Sequence, residues 1–117
     1  MADSYHHAVS STRKWGGAVE DYLPIHQWFD CTKAHFADPR HRALRHHSEG
    51  IALMVECFGP TLTTNTGRIV PTRWVGEQHV REDFGFIPTV QDFLRHMEVQ
   101  EWMVRGARPL SRELEVA

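Results

Sequence analysis

The chain has 117 residues, formal charge -2, and 41% hydrophobic residues, including 4 Trp and 6 Phe. That length fits one compact domain, and the charge balance favours neither nucleic acid nor an anionic membrane as a partner. The compositional outlier is 9 His, spread from His6 to His96 rather than gathered as a terminal tag. Cys31 and Cys57 form no CxxC pair and no disulfide framework, so both read as reduced core or helix-flank thiols. With no apolar segment of signal-peptide or transmembrane length, the expectation is a cytoplasmic protein.

In chain order, residues 5 to 15 suit a short helix stopped by Gly16-Gly17. A second helix is expected from near Asp21, with Pro24 in its first turn and an apolar stripe of Ile25, Trp28, Phe29, Thr32 and Phe36. Asp38-Pro39 reads as an N-cap and first helical residue opening a long helix to about Phe58, with Gly59-Pro60 as the stop. Residues 51 to 55, IALMV, are apolar all round and suggest the most buried helix.

TLTTNTGRIVPTRWV follows, read as a hairpin about Asn65-Thr66-Gly67, with Pro71 marking an edge strand. A short helix is expected over 76 to 84, and another from Thr89 behind the weak capping box Thr-Val-Gln-Asp. The reading is a mainly α fold, a small bundle of four to five helices with one β-hairpin. It assigns 1 to 105 to a single helical domain and 106 to 117 to a flexible tail.

On one continuous helix over 39 to 58, the inward stripe would be Leu44, His47, Ile51, Met54, Val55 and Phe58. His47 then points into the core, His46 points nearly opposite beside Arg42 and Glu49, and His41 lies on the flank. RHRALRHH is therefore not a three-histidine metal cluster, since one helix joins ligands only at i,i+3 or i,i+4. Two such pairs do occur, His26/Asp30 and His79/Asp83, each offering an imidazole and a carboxylate from one turn. Converging with His47, they would make a metal site in the style of helical-bundle metalloproteins.

Zinc is the expected ion, held by a subset of His26, Asp30, His47, His79 and Asp83. Glu77, Glu82 or a free histidine such as His46 would serve as general base. Arg40, Arg45 and Lys14 are the candidates for holding a substrate anion. The resulting expectation is a zinc-dependent hydrolase of a phosphoester or related ester, taking a small anionic substrate and with room for homo-oligomerisation. The alternatives stay open. Each pair also reads as a helix salt bridge, and His47 as a hydrogen-bonded core histidine. The whole chain also suits a non-enzymatic interaction module, such as a phage accessory protein that binds a protein or small anion. A metal-free His79-Asp83 dyad is a third reading. The tryptophans fall mostly on expected core stripes, so base stacking and nucleic-acid binding are minor.

The segments HHAVSS, KWGG, EDYLPIHQWFD, RHRALRHHSEGI, FGPTLTTNTGR and GEQHVREDFGFIPT together resemble a family of small, His-rich, uncharacterised bacterial and phage proteins. The resemblance spans residues 6 to 103. It implies no activity and no catalytic residue. It does imply that RHRALRHH and GEQHVRED belong to the family's pattern.

Overall fold

The structure, a computed structural model, describes residues 3–105. The proposed tail over 106 to 117 lies outside the described residues. Among those residues the fold is mainly helical with one two-stranded hairpin. Four α-helices of 11 to 13 residues form its body: α1 Ser4–Trp15, α2 Val19–Asp30, α3 Ser48–Phe58 and α4 Thr72–Phe84. Two short helices, α5 Val90–Leu94 and α6 Glu101–Arg105, follow. Strands β1 Thr61–Thr63 and β2 Ile69–Pro71 pair antiparallel with Leu62 opposite Val70, before α4.

Local chemistry sets the ends of these elements. Asp3 caps α1 by accepting from the His6 amide at 3.0 Å, and Gly16 ends it at φ 79°. The Asp21 carboxylate accepts from the Ala18 amide at 2.8 Å, closing the α1–α2 corner. Thr89 caps α5 in a reciprocal capping box with Asp92, as its sequence implies. Helix α4 starts earlier than the 76 expected, because Pro71 ends β2 and the Thr72 amide already bonds the Pro60 carbonyl at 3.0 Å.

α4 packs against α1, α2 and α3, with Ile25, Phe29, Ile51, Met54, Val75 and Val80 in the buried core. Gly76 permits the close approach: a Cβ there would lie 2.6 Å from the Met54 methyl and 3.3 Å from Phe29. Ile25 and Phe29 on α2, and Thr32 in the 3-10 turn Cys31–Ala34 that follows it, are buried as the stripe predicts, while Phe36 is exposed.

The long helix over 39 to 58 is not formed. Asp38 and Pro39 do open a helical segment, but it is a six-residue 3-10 turn, Pro39–Leu44. The chain then extends at His47 (φ -159°, ψ 173°) and restarts as α3. His47 is the restart's cap, its Nδ1 accepting from the Gly50 amide at 2.9 Å. The Arg45 carbonyl lies over Gly50 so closely that any Cβ would collide with it. A wheel drawn through this break assigns the wrong faces. Leu44, placed inward by it, is 53% exposed, and His46, placed outward, is fully buried.

The IALMV run is also not apolar-packed all round, since Ile51 and Met54 are buried but Leu53 is 52% exposed. Trp74 and Trp102 depart from the core stripes too and are exposed. Both cysteines are free and exposed, Cys31 just after α2 and Cys57 in the last turn of α3. No helix among the described residues is long and apolar enough to cross a membrane.

Candidate metal centre

Four side chains from three regions of the fold meet at one point. α2 supplies Asp30 from its last residue, α4 supplies His79 and Asp83 one turn apart, and the break before α3 supplies His46. His46 Nε2 lies 3.2 Å from Asp83 Oδ2, 3.4 Å from Asp30 Oδ1 and 3.2 Å from His79 Nε2. His79 Nε2 lies 3.2 Å from Asp30 Oδ1 and 3.5 Å from Asp83 Oδ2. All four atoms fall within 4.8 Å of one another, so the cluster is positioned to hold a metal ion.

Five of the six edges have the lengths that tetrahedral coordination requires. Metal–ligand bonds of about 2.0–2.1 Å give ligand–ligand edges of about 3.3–3.4 Å. Five edges of the cluster run from 3.2 to 3.5 Å.

Proton placement supports the same reading. The Gln78 amide nitrogen lies 2.9 Å from both the His7 carbonyl and Glu82 Oε1, which only accept. Its NH2 is thereby oriented, and Gln78 Oε1 faces the Ser11 hydroxyl. Ser11 has one proton and two carbonyl-type oxygens in reach, Gln78 Oε1 and the His7 carbonyl. Ser11 Oγ must therefore accept from His26 Nε2, 2.8 Å away.

Burial, reinforced by the nearby His79 and His7, holds His26 well below the usual imidazole range, so its Nδ1 carries a lone pair. That lone pair accepts from His79 Nδ1 at 2.9 Å. Burial likewise lowers His79, leaving its Nε2 as a bare acceptor facing two carboxylates. A histidine whose distal N–H is fixed by a buried partner while its other nitrogen faces carboxylates is arranged as a metal ligand is. The second buried group, His7, His26 and His79, is thus partly accounted for by a hydrogen bond between two of its members.

The carboxylates are held ionised. For Asp30, burial works against the charge, but hydrogen bonds, from His46 first and also from Ser4, help to set the group far below the usual range. Asp83 behaves alike: burial opposes ionisation, while His46 and His7 hold the group well below normal. Ser4 also donates to Asp30 Oδ2 at 2.8 Å.

The other site residues drawn from the sequence are distributed around this centre. His26 stands behind His79, one hydrogen bond outside the four-atom cluster. His47 is buried but spent on its cap, with Nε2 3.0 Å from the Ala43 carbonyl. Glu77, Glu82 and Lys14 line a separate cleft of about 530 Å³ with Trp15, Trp74 and Arg81. Glu82 reaches back to His7 Nδ1 at 2.7 Å and takes the Ser10 hydroxyl. Arg40 is exposed and paired with Asp38 at 2.8 Å. Arg45 donates to the Trp28 carbonyl at 2.7 Å and lies 4.0 Å over that ring.

His7, Ser11, Gln78 and Arg42 also surround the centre. Of these, His7 and Ser11 carry a legible signal, an i,i+4 pair on α1 like the His/Asp pairs on α2 and α4. His6, by contrast, is exposed and bonds Asp3.

The fold and site define a small helical domain with a buried His/Asp cluster. Residues 2–103 match the Domain of unknown function (DUF6915), and the chain belongs to that family. No curated protein and no solved structure matches it.

Proposed function

We propose that the protein binds one divalent transition metal ion, zinc in the first instance, through Asp30, His46, His79 and Asp83. We further propose that it uses the ion to hydrolyse a phosphoester or related ester. The observation that carries the metal reading is the set of five nitrogen–oxygen and nitrogen–nitrogen distances between 3.2 and 3.5 Å. Mixed imidazole and carboxylate ligands suit zinc, iron or manganese.

Four protein ligands close a tetrahedral site, so a bound ion would polarise a substrate oxygen or acidify water only by expanding to five ligands or by one carboxylate giving up its position. The chain's own part is to keep His79 in the right tautomer through His26 and Ser11, and to keep both carboxylates ionised. Metal analysis of untagged protein tests the proposal: about one equivalent of one transition metal, with a rise in melting temperature on adding it, is expected. Less than about a tenth of an equivalent with no such rise would overturn it. Release of phosphate from generic phosphoesters, abolished by chelation and restored by metal, tests the hydrolytic part.

A non-enzymatic interaction module is the second reading, and one observation favours it. Leu94, Met97, Val99 and Trp102 are all exposed along α5, α6 and their connection, an apolar run of the kind that protein partners cover. On that reading the ion is a structural clasp between α2, α4 and the α3 break.

A further inference from the structure

The arginine that enters the buried region is Arg42. It lies on the Pro39–Leu44 turn, is only 8% exposed, and sits with its guanidinium carbon 5.1 Å over the Phe84 ring. Its nearest acid is Asp83, with Nη2 3.8 Å from Oδ1, too far for a hydrogen bond. Nε and Nη2 are both buried without a hydrogen-bond partner.

Arginine stays charged, and a buried charge lacking a hydrogen-bonded partner is strongly unfavourable. Asp83 Oδ1 is answered instead by His7 Nε2, 3.3 Å away, so the donors left over on this side of Asp83 are those of Arg42.

Asp83 divides its roles between its two oxygens. Oδ2 belongs to the four-atom cluster, and Oδ1 faces Arg42 and His7. Once a divalent ion is bound, Asp30 and Asp83 balance its charge, and the Arg42 guanidinium is left as the uncompensated cation beside it. A guanidinium fork matches the spacing of oxyanion oxygens.

We infer that Arg42 receives an oxyanion, a phosphoryl or carboxylate group, beside the metal ion at the Asp83 edge of the centre. This rests on the metal reading above and names its ligand class. Arg42 is then the anion-recognition residue, since Arg40 and Arg45 are committed to Asp38 and Trp28.

The test uses the Co2+-loaded full chain, whose visible absorption reports the ligand field, titrated with inorganic phosphate and separately with acetate. Wild type is expected to shift its spectrum saturably with at least one of them. In Arg42→Gln the half-saturating concentration is expected to rise about tenfold or more, with Co2+ affinity changed far less. Arg42→Lys, which keeps the charge without the fork and guards against misfolding of the neutral variant, is expected to fall between the two. The preference between phosphate and acetate tells a phosphoryl from a carboxylate ligand.

A wild-type spectrum indifferent to both anions would overturn the inference while leaving the metal reading intact. So would an unchanged anion response in both variants accompanied by weaker Co2+ binding, which would make Arg42 a positioning residue for Asp83. Failure of wild type to take up Co2+, Zn2+, Fe2+ or Mn2+ would overturn the metal reading itself.

Discussion

His26 Nδ1 and His79 Nδ1 lie 2.9 Å apart in a buried contact, and one proton must serve both. Because Ser11 requires the proton on His26 Nε2, the shared proton belongs to His79, and His79 Nε2 is turned bare toward Asp30 and Asp83. On the proposed metal reading, His26 therefore governs the affinity of a ligand it touches only from behind. His26→Gln and Ser11→Ala are each expected to weaken metal binding about 10- to 100-fold. A competition titration against a chromophoric chelator measures this. Unchanged affinity in both would mean that the tautomer is set elsewhere.

Two adjacent histidines are expected to behave oppositely. His46 points Nε2 at both carboxylates, so His46→Ala is expected to reduce metal affinity more than about 100-fold. His47 caps α3, so His47→Ala is expected to cost about 1 kcal/mol of stability while metal affinity stays within a few-fold. Chemical denaturation and metal titration on the two variants separate the roles. Reversal of the pattern would restore His47 as a ligand.

The metal-free protein is expected to lose stability as pH falls. His26, His41 and His79 have folded-state pKa values below 6.5, burial being the leading cause in each, so the unfolded chain takes up their protons first. Their stabilising effect is full above about 6.5 and is lost as pH drops through and below that value. His7 runs the other way. Burial lowers it, but Asp83 and Glu82 outweigh that and raise its pKa, so its contribution is full at low pH and lost as pH rises through the raised value. Asp30 and Asp83, both depressed, add a further loss below about 3.8. Urea unfolding of chelator-treated protein at about pH 7.5 and about pH 5.5 should show lower stability at the acid value. Greater stability there would mean that the buried imidazoles are charged in the fold, contradicting the proton order above.

Gly50→Ala is expected to destabilise the fold by at least about 1–3 kcal/mol, since the new methyl meets the Arg45 carbonyl. The same turn carries His46, so metal affinity is expected to fall with stability. Thermal melts with and without metal check both. An unaltered melting temperature would mean that the turn yields without cost.

Much of the fold was legible because its signals are local. Gly16 after an amphipathic segment, Thr89 with Asp92, and a glycine turn between two β-prone runs each act within a few residues. The His26/Asp30 and His79/Asp83 pairs were legible for the same reason, since helical period alone puts each on one face. The face of a residue beyond a break was not. His46 takes the cluster position expected of His47, which stays buried but serves as a cap, because Asp38 and Pro39 launch a 3-10 turn and the helical wheel does not survive the extended His47 that restarts the chain.

By itself, then, the sequence determined which turns carry the imidazole and carboxylate groups, through spacing that any helix enforces. Only the tertiary structure decided which groups share a point. His7 with Glu82 and Asp83, His26 with His79, His46 with Asp30, and Arg42 with Asp83 are contacts between residues 16 to 76 positions apart. They follow from how α1, α2 and α4 pack around the Phe29 and Gly76 contact, and that packing is set by side-chain volume across the core rather than by any local period.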